Sequence, residues 1–190
     1  MDPKKRGLLS LSDHQIELTL NRLNLMEYHN DLLALKYMKW EGPITINHLL
    51  DCGISGSDVW PPDANGVYFI SEKPWTRIPG DDSVPLYVGS NTGKSLRFRT
   101  RIGDVIADAF GLFVKGSTGH SSGGQSIFYH CVDNQLSPKD IYIGWVRECG
   151  CVRCAENYVY DWLDPHLNKN RPPRCTIHPY ASQALAAFNA

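Results

Sequence analysis

Two short stretches decide the fold: Gly66-Val67-Tyr68-Phe69-Ile70 and Pro85-Leu86-Tyr87-Val88-Gly89-Ser90. Both are rich in β-branched and aromatic residues, which favour strands, and each carries a tyrosine in its middle. The turn-forming run Ile-Pro-Gly-Asp-Asp at 78–82 lies between them. The pattern therefore predicts a β-hairpin with a long connecting loop.

A basic helix is predicted directly after the second stretch. It contains Arg97, Arg99 and Arg101, and apolar residues at 98, 102, 106 and 110 give it the spacing of a helix packed on a core. A third strand is predicted over residues 140–146, and a further helix runs to residue 163 before Pro165 ends it.

The paired tripeptides Gly66-Val67-Tyr68 and Tyr87-Val88-Gly89 resemble the signature of the GIY-YIG nuclease family, with valine replacing isoleucine in both. That family follows its second tyrosine with an arginine on a helix, a third strand, a glutamate on a helix and an asparagine. This chain offers Arg101, Glu156 and Asn168 in that order. The resemblance implies an α+β fold with a small three-stranded antiparallel sheet flanked by helices. It would occupy residues 64–190, and residues 1–63 would form an N-terminal helical extension.

The resemblance also implies an activity, which is metal-dependent hydrolysis of DNA phosphodiester bonds. Tyr68 or Tyr87 would position or deprotonate the attacking water, and Arg101 would stabilise charge that develops on the phosphate. Glu156 would bind one Mg²⁺ or Mn²⁺ through oxygen. Asn168 would orient Glu156 or the tyrosines. Each of these residues is expected to belong to one catalytic site.

Two details of this site depart from the family pattern or stay open. Family members place a histidine one turn after the arginine, where this chain has Val105. We assign its proton-transfer role to His120, in a glycine- and serine-rich insertion at 112–125 that precedes a helix predicted over 126–131. Arg97 is the alternative to Arg101 as the catalytic arginine, because it lies one turn earlier on the same side.

The C-terminal part carries clustered cysteines. Cys149, Cys151 and Cys154 precede the last predicted helix, and Cys175 and His178 follow it. The separation of two residues in each pair is typical of structural zinc sites, if the chain returns along the helix. Reduced buried thiols are the favoured interpretation, and structural zinc is the alternative.

Composition and motif spacing limit the classes of function that remain possible. The 190 residues carry a formal net charge of −1, so a nucleic-acid site must be a local basic patch. No apolar run has the length of a membrane span, and we expect a cytoplasmic protein without a membrane partner. The segment 89–95 approaches a P-loop but has one residue too few between its glycines, which excludes nucleotide hydrolysis of that type.

DNA is the expected partner, and residues 12–40, predicted to be helical and rich in leucine and methionine, are the expected contact of a homodimer. A dimeric enzyme resembling type II restriction endonucleases is the main interpretation. A strand-nicking repair or mobile-element nuclease, a non-catalytic nucleic-acid-binding module and a structural subunit are the alternatives.

Overall fold

The computed structural model describes residues 35, 38–55, 59–61, 64–80, 82–91, 98–112, 121–147 and 151–178. Within these ranges the fold is α+β, as the sequence predicts. The elements in chain order are β1 (Glu41–Thr45), α1 (Ile46–Ser55), β2 (Gly66–Ser71), β3 (Pro85–Ser90), α2 (Phe98–Ala109), α3 (Ser121–Asp133), a 3₁₀ helix (Pro138–Asp140), β4 (Tyr142–Arg147) and α4 (Val152–Leu163).

The predicted hairpin is confirmed, with β2 inside the sheet and β3 at its edge. β2 pairs antiparallel with β3, so that Tyr68 lies opposite Gly89 and Ile70 lies opposite Tyr87. On its other side β2 pairs antiparallel with β4, which confirms the third strand. All six residues of β2 are buried, because the strand has a partner on both sides and helices on both faces.

The prediction of three strands is wrong, since the described residues form a four-stranded sheet in the order β1-β4-β2-β3. The added edge strand is β1, in a segment that reads as a helix end because of Gly42-Pro43. Pairing with β4 is irregular there, and Gly42 adopts φ +112° at a register shift. Proline is tolerated in an edge strand, since the missing N–H can lie on the unpaired side. Residues 41–55 therefore contribute one strand to the sheet and one helix that packs against it.

Side chains alternate between the two faces of the sheet, as the period of a strand requires. Val67 and Phe69 lie on the face covered by α4, together with Trp75. Tyr68 and Ile70 lie on the opposite face, where α1, α2 and α3 supply the packing partners. The apolar stripe of α2 is confirmed as part of that core, with Phe98 and Ile102 fully buried. The two faces therefore form separate apolar cores.

One predicted helix is described only at its end, and another begins earlier than predicted. Most of the predicted helix over 12–40 lies outside the described residues; Leu35 is helical and buried, whereas residues 38–40 are irregular. The helix predicted to begin at residue 126 begins at Ser121, because glycines 123 and 124 are needed for close packing and do not end it. None of the helices in the described part of the chain combines the length and the apolar character needed to cross a bilayer.

Candidate active site

The two signature tyrosines lie on one face of the hairpin as diagonal neighbours across β2 and β3. Their ring centroids are 6.2 Å apart. A Cβ atom on Gly89 would overlap the hydroxyl and Cζ of Tyr68, so the ring can lie across β3 only because residue 89 has no side chain. Tyr68 is fully buried and Tyr87 is 9 % exposed, which places Tyr87 nearer to solvent.

Both tyrosines are held in their neutral form. Burial raises the pKa of Tyr68 well above its ordinary value, and the neighbouring Tyr87 and the charge of Glu156 raise it further. Burial is also the main reason that the pKa of Tyr87 is raised. The positive charge of the Arg101 guanidinium lowers the pKa of both tyrosines. These pKa values favour phenols that donate hydrogen bonds and disfavour a free tyrosinate base.

The Tyr68 hydroxyl is one of the few buried side-chain polar atoms in the described residues without a hydrogen-bond partner. It interacts with the Tyr87 hydroxyl at short range, but the two groups lack the geometry of a hydrogen bond. A buried unsatisfied hydroxyl is costly, and such groups are often kept for a function. The hydroxyl therefore has an unused hydrogen bond, although it is not exposed to solvent in this structure.

The arginines of α2 have different positions. Arg101 is half-buried and its charge acts on both tyrosines and on the Glu156 carboxyl. Arg99 instead donates from Nε to the Pro61 carbonyl at 2.9 Å and from a terminal nitrogen to the Trp60 carbonyl at 3.3 Å. Arg99 thus binds the loop before β2. Arg97 lies outside the described residues.

Glu156 lies in the first half of α4, close enough for its charge to act on both tyrosines. Its side chain is 13 % exposed, and an Arg153 nitrogen lies 4.0 Å from its Oε2 atom. Burial raises the pKa of the Glu156 carboxyl, although a hydrogen bond with Ser90 at the end of β3 lowers it. The carboxylate charge also acts on both tyrosines. Four predicted residues from β2, β3, α2 and α4 are thus close enough to affect one another.

Asn168 holds the strand that carries Tyr87. Its Oδ1 atom accepts a hydrogen bond from the Val88 N–H at 2.9 Å, and its Nδ2 group donates to the Val88 carbonyl at 2.9 Å. The neighbouring Leu167 N–H donates to the Leu86 carbonyl at 2.9 Å. Of the two roles expected for Asn168, these contacts favour orienting the tyrosines, through the backbone of β3.

The N-terminal turn of α3 lies against the second tyrosine. A Cβ atom on Gly123 would lie 2.5 Å from Cζ of Tyr87, and one on Gly124 would lie 2.8 Å from the Val105 carbonyl oxygen. The two glycines thus let α3 approach both β3 and α2 closely. His120 immediately precedes this turn in sequence, but it lies outside the described residues, and its proposed role stays a prediction.

A second group of predicted residues forms a cluster at the N-terminus of α4. The ligand atoms of Cys151, Cys154, Cys175 and His178 all lie within 4.8 Å of one another. Such a cluster could bind a metal such as zinc. Cys149, the fifth residue proposed for this site, lies outside the described residues.

Sequence reasoning missed three contributors to the first site: Ser90, Gly123 and Arg153. Arg153 precedes Glu156 by three residues, the spacing at which helix side chains meet, so a helical projection would have found it. Ser90 and Gly123 carry no such signal, because their contacts join elements that are distant along the chain.

A comparison with known proteins finds no family model that matches this chain, no similar curated protein and no similar solved structure.

Proposed function

We propose that the chain is a divalent-metal-dependent endonuclease that hydrolyses phosphodiester bonds in DNA. The observation that carries the proposal is the convergence of two tyrosines, one arginine and one glutamate from four separate elements. Each type of side chain has a use in phosphodiester hydrolysis: hydroxyls to orient water, a guanidinium to bind a phosphate, and a carboxylate to bind a metal.

In the proposed reaction a water oxygen attacks phosphorus, the bond to one ester oxygen breaks, and a proton from the water ends on the departing alcohol. The Tyr87 hydroxyl, which is nearer to solvent than that of Tyr68, orients the attacking water. Arg101 binds the phosphate oxygens, where negative charge increases in the transition state. Tyr68 completes the hydrogen bonding with its unpartnered hydroxyl.

The raised pKa values of the tyrosines favour positioning over proton removal as their task. A phenol ionises near pH 10 in water, and burial shifts these two in the unfavourable direction for a base. Transfer of the proton away from the water is therefore proposed for another group, and His120 remains the candidate from the sequence.

The proposed metal is Mg²⁺ or Mn²⁺, and the donor atoms at the site fit such an ion. Glu156 offers hard carboxylate oxygens, and Mg²⁺ binds to proteins through one or two carboxylates while water and substrate phosphate complete its shell. Arg153, at 4.0 Å, is too far away to form a tight ion pair with Glu156. A bound divalent ion would polarise the scissile phosphate.

A cavity at the N-terminus of α4, which is one helical turn before Glu156 in sequence, suits the nucleic acid. It has a volume of about 430 Å³, and its lining includes Asn65, Asn91, Arg153 and Arg174. Two guanidinium groups and two side-chain amides are typical partners of phosphate and sugar oxygens. The overall net charge of −1 therefore does not exclude DNA, because the proposed contact is local.

A restriction-like homodimer is the proposed assembly, since one site of this kind serves one strand at a time. A strand-nicking nuclease is the alternative for a monomer. The combination of metal-binding and phosphate-binding groups favours an enzyme over a passive DNA-binding module.

Plasmid cleavage with Mg²⁺, and with excess chelator, tests the proposal. Glu156→Gln should abolish cleavage and leave DNA binding within about threefold, because it removes a metal ligand and no phosphate contact. The control is Asp133→Asn, which removes an exposed carboxylate at the end of α3 and should cut normally. Full Mg²⁺-dependent cleavage by Glu156→Gln would remove Glu156 from the reaction, and a wild-type protein that never cuts DNA would refute the nuclease.

A further inference from the structure

We propose that Cys151, Cys154, Cys175 and His178 bind one zinc ion in a closed structural site. This site lies at the N-terminus of α4 and takes no part in the hydrolysis proposed above. The proposal stands on the geometry of the cluster and goes beyond the nuclease function, so either can fail without the other.

The separations between the ligand atoms match those of a tetrahedral metal site. The Sγ atoms of Cys151 and Cys175 are 3.6 Å apart. The Nδ1 atom of His178 is 3.6 Å from the Sγ atoms of both Cys154 and Cys175. Two sulfurs that each lie about 2.3 Å from a tetrahedral zinc are about 3.8 Å apart, and a sulfur and a nitrogen are slightly closer. These three separations fit one ion, and no two of the four ligand atoms are more than 4.8 Å apart.

The backbone around the cluster favours thiolates. Cys151 occupies the N-cap of α4, and its sulfur faces the cluster, 3.6 Å from the sulfur of Cys175. Cys154 lies in the first turn, where the helix dipole favours negative charge. On the other side, the His178 N–H donates to the Cys175 sulfur at 3.3 Å. An N–H group that points at a sulfur is a partner suited to a metal-bound thiolate.

The two halves of the cluster meet because residues 169–178, here called the C-terminal strap, run back along α4. Arg171 forms an ion pair with Asp161, near the end of the helix. One turn earlier on the helix, the Asn157 side chain donates to the Pro173 carbonyl at 3.0 Å. Cys175 then reaches the first turn. These successive contacts set the direction of the strap and place both pairs of ligands together.

Zinc fits this ligand set better than the alternatives do. Three thiolates and one imidazole are the ligands of structural zinc sites, whereas Mg²⁺ and Ca²⁺ prefer oxygen. A disulfide requires sulfurs about 2.0 Å apart, and the cysteines of the cluster are free. Four protein ligands complete a tetrahedron and leave no position for water, so the site is structural and not catalytic.

A zinc ion here would join the strap to the helix that carries Glu156. Cys151 and Cys175 also line the cavity assigned to DNA, between Arg153 on the helix and Arg174 on the strap. The ion would therefore fix the distance between these two arginines. Loss of zinc should open this wall of the cavity, while the pairing of the strands is kept, because none of the four ligands belongs to a strand.

The direct test measures metal in the purified full-length chain. We expect about one zinc per chain after desalting, and replacement by Co²⁺ should give the intense sulfur-to-metal charge-transfer band of a tetrahedral thiolate site. Cys175→Ser and His178→Ala should each lower the zinc content by at least about fivefold. Cys131→Ser is the matched control, because Cys131 is an equally buried free thiol on α3, and it should retain the metal.

A second readout does not require any variant to fold. Arg174 is exposed on the strap, so trypsin should cut after it about tenfold faster once a chelator has removed the zinc. A wild-type chain that contains no zinc and binds no Co²⁺ would overturn the proposal. So would a disulfide among these cysteines in the freshly purified protein, or equal zinc in Cys175→Ser and wild type. Cleavage of DNA enters none of these measurements, which separates this test from that of the nuclease.

Discussion

Replacing Tyr68 with phenylalanine should make the protein more stable and less active at the same time. The hydroxyl of this fully buried residue has no hydrogen-bond partner among the described residues. Phenylalanine keeps the ring and its packing and removes only the unsatisfied group. In the proposed reaction the same hydroxyl bonds to the substrate or to water, so its loss should slow cleavage.

The gain in stability can be estimated from the environment of the hydroxyl. An unsatisfied buried polar group costs about 1–3 kcal/mol. The oxygen also packs against Gly89, and that contact is lost, so the lower end of the range applies. We expect the free energy of unfolding to rise by about 1 kcal/mol, and for a chain of 190 residues the Tm to rise by about 2–4 °C.

The way in which the stability difference between Tyr68→Phe and wild type changes with pH provides a further check. The pKa of Tyr68 is raised in the folded protein, whereas the unfolded chain ionises near pH 10. Above about pH 10 the unfolded state therefore loses a proton that the folded state keeps, and the stability of the wild type falls as pH rises. Phenylalanine cannot ionise in either state. The stability difference between variant and wild type should thus grow above about pH 10.

Urea unfolding at several pH values and plasmid cleavage at neutral pH measure the two effects. Tyr68→Phe should cut about 10²-fold more slowly, the usual scale for a positioned hydroxyl in proton or water handling. Tyr129→Phe is the control, because Tyr129 is 56 % exposed, and it should change neither quantity. A destabilised Tyr68→Phe would mean that the hydroxyl is satisfied in the folded protein, and cleavage at the wild-type rate would exclude it from the reaction.

Three other predictions concern the arginines, the asparagine and the assembly. Arg101→Ala should lower the cleavage rate by about 10²–10³-fold, whereas Arg99→Ala should lower mainly the Tm, because Arg99 binds loop carbonyls; equal rates for the two variants would contradict this division. Asn168→Ala removes two hydrogen bonds to Val88 and should cost about 1–3 kcal/mol of unfolding free energy by urea titration. Asn168→Asp keeps the acceptor but sets a carboxylate oxygen against the Val88 carbonyl, so it should cost at least as much. The protein should be a dimer on DNA and yield linear product from a plasmid with one site; a monomer by light scattering that gives only nicked circles would instead indicate a nicking enzyme.

The hairpin, and with it the placement of both tyrosines, was predictable because the residues that specify it lie close together in the sequence. Alternating β-branched and aromatic residues, bounded by turn formers, specify β2 and β3 without reference to the rest of the chain. The spacing of Phe98 and Ile102 specified the buried side of α2 in the same way. The family pattern then ordered the remaining candidates, and the structure brings Arg101 and Glu156 to the tyrosines.

The errors arise where distant contacts override local preference. Gly42-Pro43 indicates the end of a helical segment, and only pairing with β4 makes it part of a strand. Gly123 and its neighbour read as loop, because glycine is a poor helix former. In the structure both belong to α3, which packs so closely against Tyr87 that a side chain at residue 123 would overlap the ring. The spacing of the cysteines was visible too, but the direction of the C-terminal strap depends on contacts such as that between Arg171 and Asp161.

The contacts of residues 166–168 limit how two copies of this chain can associate. These residues use the outward-facing carbonyl of Leu86 and both backbone groups of Val88, so β3 has few free groups with which to extend a sheet into a second molecule. At the opposite edge, the proline and the irregular pairing of β1 make that strand a poor template as well. A dimer that continues the sheet across its interface is therefore disfavoured. Association through helices would leave the strand order intact, and each copy would keep its own complete set of tyrosines.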